Sequence, residues 1–265
     1  MLFLKTILVS LITTSVGFIK FVYFISLGYG LSVACIGLFL LMNQKDSGNA
    51  EKILGLLYFL YGMRLGLFLL YRDLKISSFE EKMREERKKR KEIKFGVKII
   101  LWISCALLYS CQSSPLTFRF TSIKNDKNCY LFSYVGIIIS FLGFLMEARA
   151  DYEKNAAKKL NPNRFVDSGL YKLVRCPNYL GEILFWTGNF ISGVEIYYGL
   201  TQWIISFIGY ICITYVMFGS TRTLEISQNK SYGKDPEYQK YIKTTPILIP
   251  FIPLYSVEKY SWMKA

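Results

Sequence analysis

The sequence predicts an all-α fold: a polytopic transmembrane helical bundle of about six to seven spans, with cytosolic segments suited to binding a cofactor. Three observations predict it. Hydrophobic residues make up 52% of the 265-residue chain and are gathered in blocks long enough to cross a bilayer. The 33 Lys and Arg residues collect in alternate segments between those blocks. One group of polar side chains stands at the start of a late apolar block, where bilayer filler would be expected.

Candidate spans run near 3–19, 21–42, 53–71, 96–112, 130–147, 180–195 and 200–219. Several lack the polar face that a soluble helix needs. Lys5 followed by an apolar stretch resembles the start of a signal peptide, but no small-residue cleavage site follows and Lys20 interrupts the stretch, so a retained first helix is expected. The segments Arg72–Lys98 and Arg149–Arg175 are basic, as is the tail with Arg222, Lys230, Lys234, Lys240 and Lys243. The alternate loops 43–52, 112–129 and 196–199 hold few basic residues. With these spans the basic segments share one side, assigned to the cytosol by the positive-inside rule. The run Arg84–Lys94, interspersed with Glu85, Glu86 and Glu92, reads as a solvated helix or a contact for anionic head groups. Topology accounts for the net charge of +14, so no nucleic-acid partner is expected. No internal repeat or linker divides the chain. It reads as one membrane domain over 1–265, with N-terminal spans in 1–52, a core over 53–253 and a tail over 254–265.

The chain has no histidine. It therefore has no Ser-His-Asp or Cys-His nucleophile system and no His-ligated zinc site. Proton transfer must use Tyr, Glu, Asp, Lys, Cys or water. The six cysteines are scattered without metal-knuckle spacing, and no metal site is expected. Cys111 and Cys129 flank one loop and would pair only if it faced an oxidising compartment.

The stretch from Asn163 to Asn189 departs from membrane filler. Asp167-Ser168-Gly169 reads as a turn. Arg175, Asn178, Tyr179 and Glu182 follow at the mouth of a helix that Pro177 suits as a first-turn residue. Asn178 and Glu182, four apart, share a helix face. A helix start carrying an arginine suits a phosphate or carboxylate. Capping and membrane anchoring explain each residue singly; the cluster as a whole reads as a binding site. Upstream, Glu147, Asp151 and Lys154 recur at helical spacing on a helix leaving the membrane. Downstream, Glu225 follows the last span, and Tyr238, Tyr241 and Lys243 lie on a short amphipathic helix before Pro246, Pro250 and Pro253.

The stretch GLYKLVRCPNYLGEILFWTG resembles the C-terminal signature of a membrane family related to the steroid 5-alpha-reductases, through Gly169, Leu170, Tyr171, Arg175, Pro177, Asn178, Tyr179, Gly181, Glu182 and Trp186. The resemblance extends to Arg64, Leu65 and Arg72, to Glu147, Asp151 and Lys154, and to Leu224, Glu225, Tyr238, Tyr241, Thr245, Pro246 and Pro250, so it covers residues 55–253. It implies NADPH-dependent reduction of a carbon–carbon double bond in a steroid, sterol or enoyl lipid that enters from the bilayer, in the endoplasmic reticulum with the cofactor site facing the cytosol. By carry-over, Asp151, Lys154, Arg175, Cys176, Asn178, Tyr179, Glu182, Glu225, Tyr238 and Tyr241 would line that site. More distantly the core is similar to isoprenylcysteine carboxyl methyltransferases, which bind S-adenosylmethionine in the same region. A non-catalytic, lipid-binding relative is a third expectation. The family pattern has His between Arg and Pro; here that position is Cys176. Steroid reductases also carry an acid and a tyrosine on earlier spans. No acidic residue lies within the early spans here, so the proton donor is unassigned, with Tyr58, Tyr61 and Arg64 as candidates.

Overall fold

The structure, a computed structural model, describes residues 1–43, 47–75, 93–121 and 131–263. The basic run Arg84–Lys94 lies almost wholly outside the described residues, as does Cys129. Within them the chain forms nine α-helices and no strand: α1 Leu2–Thr14, α2 Leu27–Asn43, α3 Asn49–Lys75, α4 Phe95–Gln112, α5 Ser114–Arg119, α6 Leu131–Leu160, α7 Pro177–Gly193, α8 Gly199–Tyr232 and α9 Pro236–Thr244. Among the described residues five stretches are long and apolar enough to cross a membrane: Phe21–Asn43, Asn49–Asp73, Phe95–Gln112, Leu131–Leu160 and Gly199–Tyr232. The predicted first span is a shorter apolar helix, Leu2–Phe18, tightened into a 3₁₀ turn over Ser15–Phe18, and α7 over the predicted 180–195 span has 17 residues. The helices of α6 and α8 run 13 residues beyond the predicted ends at 147 and 219, because neither 148–160 nor 220–232 holds a Gly or Pro to stop them, and the single Gly219 is carried inside α8.

The chain folds as two compact units, Met1–Ser133 with Gly193–Gly209, and Tyr134–Ser192 with Tyr210–Ala265. The first is built on the antiparallel pair α2 and α3. Glycines let their backbones touch: a Cβ on Gly62 would stand 2.4 Å from the Ala34 nitrogen and the Gly30 oxygen, and one on Gly37 would stand 2.7 Å from the Gly55 oxygen. Such close approach through small residues is how helices associate where apolar side chains gain nothing by leaving lipid. On α4, Trp102 Nε1 donates to the Leu11 carbonyl at 2.8 Å and the Tyr109 hydroxyl to that of Phe24 at 2.8 Å.

Two ionic groups tie this unit. Near the end of α3, Asp73 accepts Lys20 Nζ at 2.6 Å and the Tyr23 hydroxyl. At the opposite end of the same helix Glu51 pairs with buried Arg119 at 2.9 Å, and Arg119 Nη1 donates to Ser133 Oγ at 2.6 Å. Glu195 accepts the Phe132 and Ser133 N–H groups at 3.0 and 3.2 Å, satisfying orphan donors at the start of α6.

The second unit repeats the seam with α6 and α7. A Cβ on Gly188 would stand 2.4 Å from the Gly136 oxygen, and one on Gly143 would stand 2.4 Å from the Phe185 nitrogen. Ser140 Oγ donates across it to the Phe185 carbonyl at 2.9 Å. A buried cluster of Val174, Cys176, Leu180, Ile247, Leu248 and Val257 then gathers the segments around the start of α7.

Candidate functional site

All ten predicted cofactor-site residues fall in the second unit, and the packing that places them starts at the α6–α7 seam. Because Gly181 has no side chain, the backbone nitrogen of Glu147 comes within 2.6 Å of where its Cβ would be. That approach sets Glu147 and Asp151 on α6 and Glu182 on α7 in the buried interior. Lys154, Asn178 and Tyr179 are half-buried. Burying carboxylates costs free energy that compact membrane helices rarely carry without a use.

The turn before α7 is as the sequence predicts. Gly169 takes φ +60, a conformation that suits glycine, and the next N–H, of Leu170, donates to Glu153 Oε2 at 2.8 Å. The chain then runs past the segment after α9: Arg175 N–H donates to the Pro246 carbonyl at 2.9 Å and Cys176 N–H to that of Ile247 at 3.0 Å. These bonds fix the orientation of Arg175, which is 2% exposed. Its Nη2 donates to Glu225 Oε1 at 2.8 Å and to the Tyr255 carbonyl at 2.6 Å. Its Nε and Nη1 have no hydrogen-bond partner among the described residues. The Tyr238 hydroxyl stands beside the guanidinium but gives its own bond to Asn229 Oδ1 at 2.8 Å.

The other predicted residues divide by what they already do. Glu225 uses both oxygens, Oε1 on Arg175 and Oε2 on the Val257 N–H at 2.8 Å. The Tyr241 hydroxyl donates to the Tyr171 carbonyl at 2.7 Å. Asp235 caps α9 by accepting the Glu237 N–H at 2.9 Å, which sets fully buried Tyr238 on that helix. Phe165 stacks on Tyr241 at 5.4 Å and meets Tyr238 edge-on at 5.3 Å. Cys176 is core: burial pushes its thiol up to about 12, against the pull of the Arg175 and Lys154 charges. Burial likewise pushes the Tyr238 hydroxyl up to about 12, opposed by Arg175, and raises Tyr171 and Tyr241. All four groups hold their protons at neutral pH and serve as hydrogen-bond donors or neutral filler, not as bases.

The catalytic candidates Tyr58, Tyr61 and Arg64 lie on α3, in the first unit. Tyr58 and Tyr61 are fully buried, and Arg64 lies over the Phe68 ring at 5.7 Å. The sequence reading missed Asp73, the buried acid at the end of α3. Its signal was only a carboxylate two residues beyond a predicted span end, with partners 53 and 50 positions away.

A bundle of apolar helices with a buried, charged site among the segments of one unit defines an integral, multi-pass membrane protein. The chain belongs to the family described as Protein of unknown function (DUF1295), whose model matches residues 9–245 and so includes all ten site residues. No curated protein and no solved structure matches the chain.

Proposed function

We propose that this protein is a membrane-bound, NADPH-dependent reductase of a carbon–carbon double bond in a steroid, sterol or enoyl lipid, related to the steroid 5-alpha-reductases. The observation that carries the proposal is the guanidinium of Arg175: buried, ion-paired through one nitrogen, and with two further nitrogens unpartnered among the described residues. Buried donors are almost always satisfied in native proteins, so an unsatisfied pair points to an absent acceptor. A phosphate oxygen is the acceptor best matched to a guanidinium. Arg175 would hold a cofactor phosphate, Asn178 and Tyr179 would hydrogen-bond its ribose or amide groups, and Glu182 would take an amide N–H. Glu225 holds Arg175 in place, and Lys154 adds positive charge. The chemistry that NADPH supplies at such a site is hydride delivery to one carbon of the double bond. The basic segment 149–175 supports a site on the cytosolic side, and the endoplasmic reticulum is the membrane proposed.

Calorimetric titration of the purified protein in detergent tests this. NADPH is expected to bind, S-adenosylmethionine to give no heat, and Arg175→Ala to abolish NADPH binding. Glu182→Gln, which keeps the shape of the site, is expected to weaken it. Unchanged NADPH affinity in Arg175→Ala, or heat from S-adenosylmethionine alone, overturns the proposal. No heat from either ligand favours the non-catalytic relative.

A further inference from the structure

Arg175 is the phosphate ligand in the reading above, yet it is 2% exposed, so a ligand reaches it only if something moves. The segment 254–263 forms part of its cover. This segment forms no helix and lies outside the residues that match the family. Its backbone grips the two charged partners themselves: the Tyr255 carbonyl accepts Arg175 Nη2 and the Val257 N–H donates to Glu225 Oε2. Beyond them, Arg222 Nε donates to the Glu258 carbonyl at 3.0 Å, Asn229 Nδ2 to Glu258 Oε2 at 2.7 Å, and the Tyr215 hydroxyl to the Trp262 carbonyl at 2.7 Å.

The segment is held by one fully buried side chain, Val257, with half-buried Leu254, Tyr260 and Met263 packed against the same cluster, while Tyr255, Ser256, Glu258, Lys259, Ser261 and Trp262 are exposed. Its outer hydrogen bonds, from Arg222, Asn229 and Tyr215, face solvent, and segments tied by solvent-facing hydrogen bonds open at lower free energy than a fully enclosed core. A pivot precedes it. Phe251 is the one non-glycine described residue at positive φ, +67, between Pro250 and Pro253, and its ring is 93% exposed. Such a conformation is costly for a side chain with a Cβ and marks a place where the chain turns under constraint. Beside the pivot lies an open hollow of about 240 Å³, lined by Lys172, Thr244, Pro246, Phe251, Pro253 and Tyr255 among others. Two of these, Pro246 and Tyr255, carry the carbonyls that Arg175 bonds. The hollow therefore borders the Arg175 site with a cation, Lys172, in its wall.

We propose that residues 254–263 form a strap that closes over Arg175 and Glu225 and lifts about the Pro250–Pro253 turn to admit a phosphate-bearing cofactor through the Lys172 hollow. This rests on the cofactor reading above. Closed, the strap shields the buried charges; open, it exposes the guanidinium edge that the ligand needs. The apparent affinity is then the intrinsic affinity reduced by the fraction of molecules with the strap open.

Stopped-flow NADPH fluorescence on the full chain in detergent tests the proposal with two variants outside the phosphate site. Val257→Asn removes the apolar peg and is expected to raise the NADPH association rate and affinity about tenfold by raising the open fraction. Glu258→Ala removes the acceptor of Asn229 and is expected to shift both in the same direction, by about twofold to threefold. If Val257→Asn fails to unfold cooperatively, Glu258→Ala decides. Equal association rates in the wild-type protein and the folded variants overturn the strap while leaving the cofactor reading intact. If NADPH binds neither the wild-type protein nor any folded variant, the cofactor reading falls and the strap falls with it.

Discussion

The two units share a packing device and use it differently. In the first, α2 carries Gly30 and Gly37 and α3 carries Gly55 and Gly62; in the second, α6 carries Gly136 and Gly143 and α7 carries Gly181 and Gly188. Each pair is seven residues apart, two helical turns, so both glycines face the partner helix. Both seams bring backbone against backbone. The α2–α3 seam continues into apolar side chains and the buried rings of Tyr58 and Tyr61. The α6–α7 seam runs, at and beyond its Gly181 contact, into Glu147, Asp151 and Glu182. The same device closes a core in one unit and sets up a charged site in the other.

The buried arginines repeat the contrast. Arg119 in the first unit spends Nη1 on Ser133 and Nη2 on Glu51. Arg175 in the second spends Nη2 alone and leaves two nitrogens for something else. Arg119 is thus tied through two of its nitrogens and Arg175 through one.

The largest expected effects come from filling the seams. Gly62→Leu and Gly188→Leu each place a side chain where backbone atoms already stand at 2.4 Å, so neither variant is expected to give a monodisperse protein in detergent. The alanine versions separate the two uses. Overpacking a tight contact costs about 1–3 kcal/mol, so Gly37→Ala and Gly181→Ala should both melt earlier. Only Gly181→Ala should also weaken NADPH binding, because only its seam carries site residues. Loss of NADPH binding in Gly37→Ala at unchanged melting temperature would break the comparison.

Next in size are the ion pairs. Removing one partner of a deeply buried pair costs about 3 kcal/mol or more, since the other charge is left without compensation. Glu225→Ala strands Arg175, and both side chains of that pair are 3% exposed or less. Glu51→Ala should cost less, because Glu51 is 12% exposed and Arg119 keeps Ser133. Thermal or denaturant unfolding of the two variants checks the order. An equal loss would mean that Arg175 has no more need of its partner than Arg119 has.

Much of this was legible in the sequence because it is local. The apolar blocks gave the helices, and Pro177 with Asn178 and Glu182 gave the start and one face of α7. The extensions of α6 and α8 past the apolar runs were hidden because hydropathy ends where helix propensity does not. The seams escaped notice although their seven-residue glycine spacing is visible, because a glycine pair says nothing of its partner helix. What the sequence could not supply is long-range: Glu225 lies 50 positions from Arg175, Val257 lies 32 from Glu225, and Asp73 lies 53 from Lys20. Cys176 marks the boundary between the two. Its place in the motif puts it among the predicted site residues, and its side chain packs in the cluster with Val174 and Leu180.

That packing has a pH signature in the second unit's site. The Cys176 thiol ordinarily titrates near 9.0 and is pushed up to about 12. The folded state therefore holds the proton more tightly than the unfolded chain. Its contribution to stability is whole below pH 9.0 and is lost as pH rises toward 12. Tyr238 behaves the same way from its ordinary 10.0. Stability should fall above pH 9, and Cys176→Ala should flatten the first part of that fall when melting temperature is followed from pH 8 to 11. A fall of equal steepness would mean that the thiol is not shielded in the folded protein.

The smallest effect tests whether α9 is a support for the site or only its neighbour. Asp235 caps this helix through the Glu237 N–H, and the helix carries Tyr238 beside Arg175 and Tyr241 on the Tyr171 carbonyl. Losing an N-cap costs about 1 kcal/mol. Asp235→Ala should therefore lower the melting temperature slightly, and Asp235→Asn, which can still accept the N–H, should restore most of it. If α9 supports the site, NADPH affinity should follow the same order: wild type, then Asn, then Ala. If affinity stays constant while melting temperature moves, α9 stabilises the second unit without shaping its charged centre. The strap and the α6–α7 seam would then be what set the geometry around Arg175.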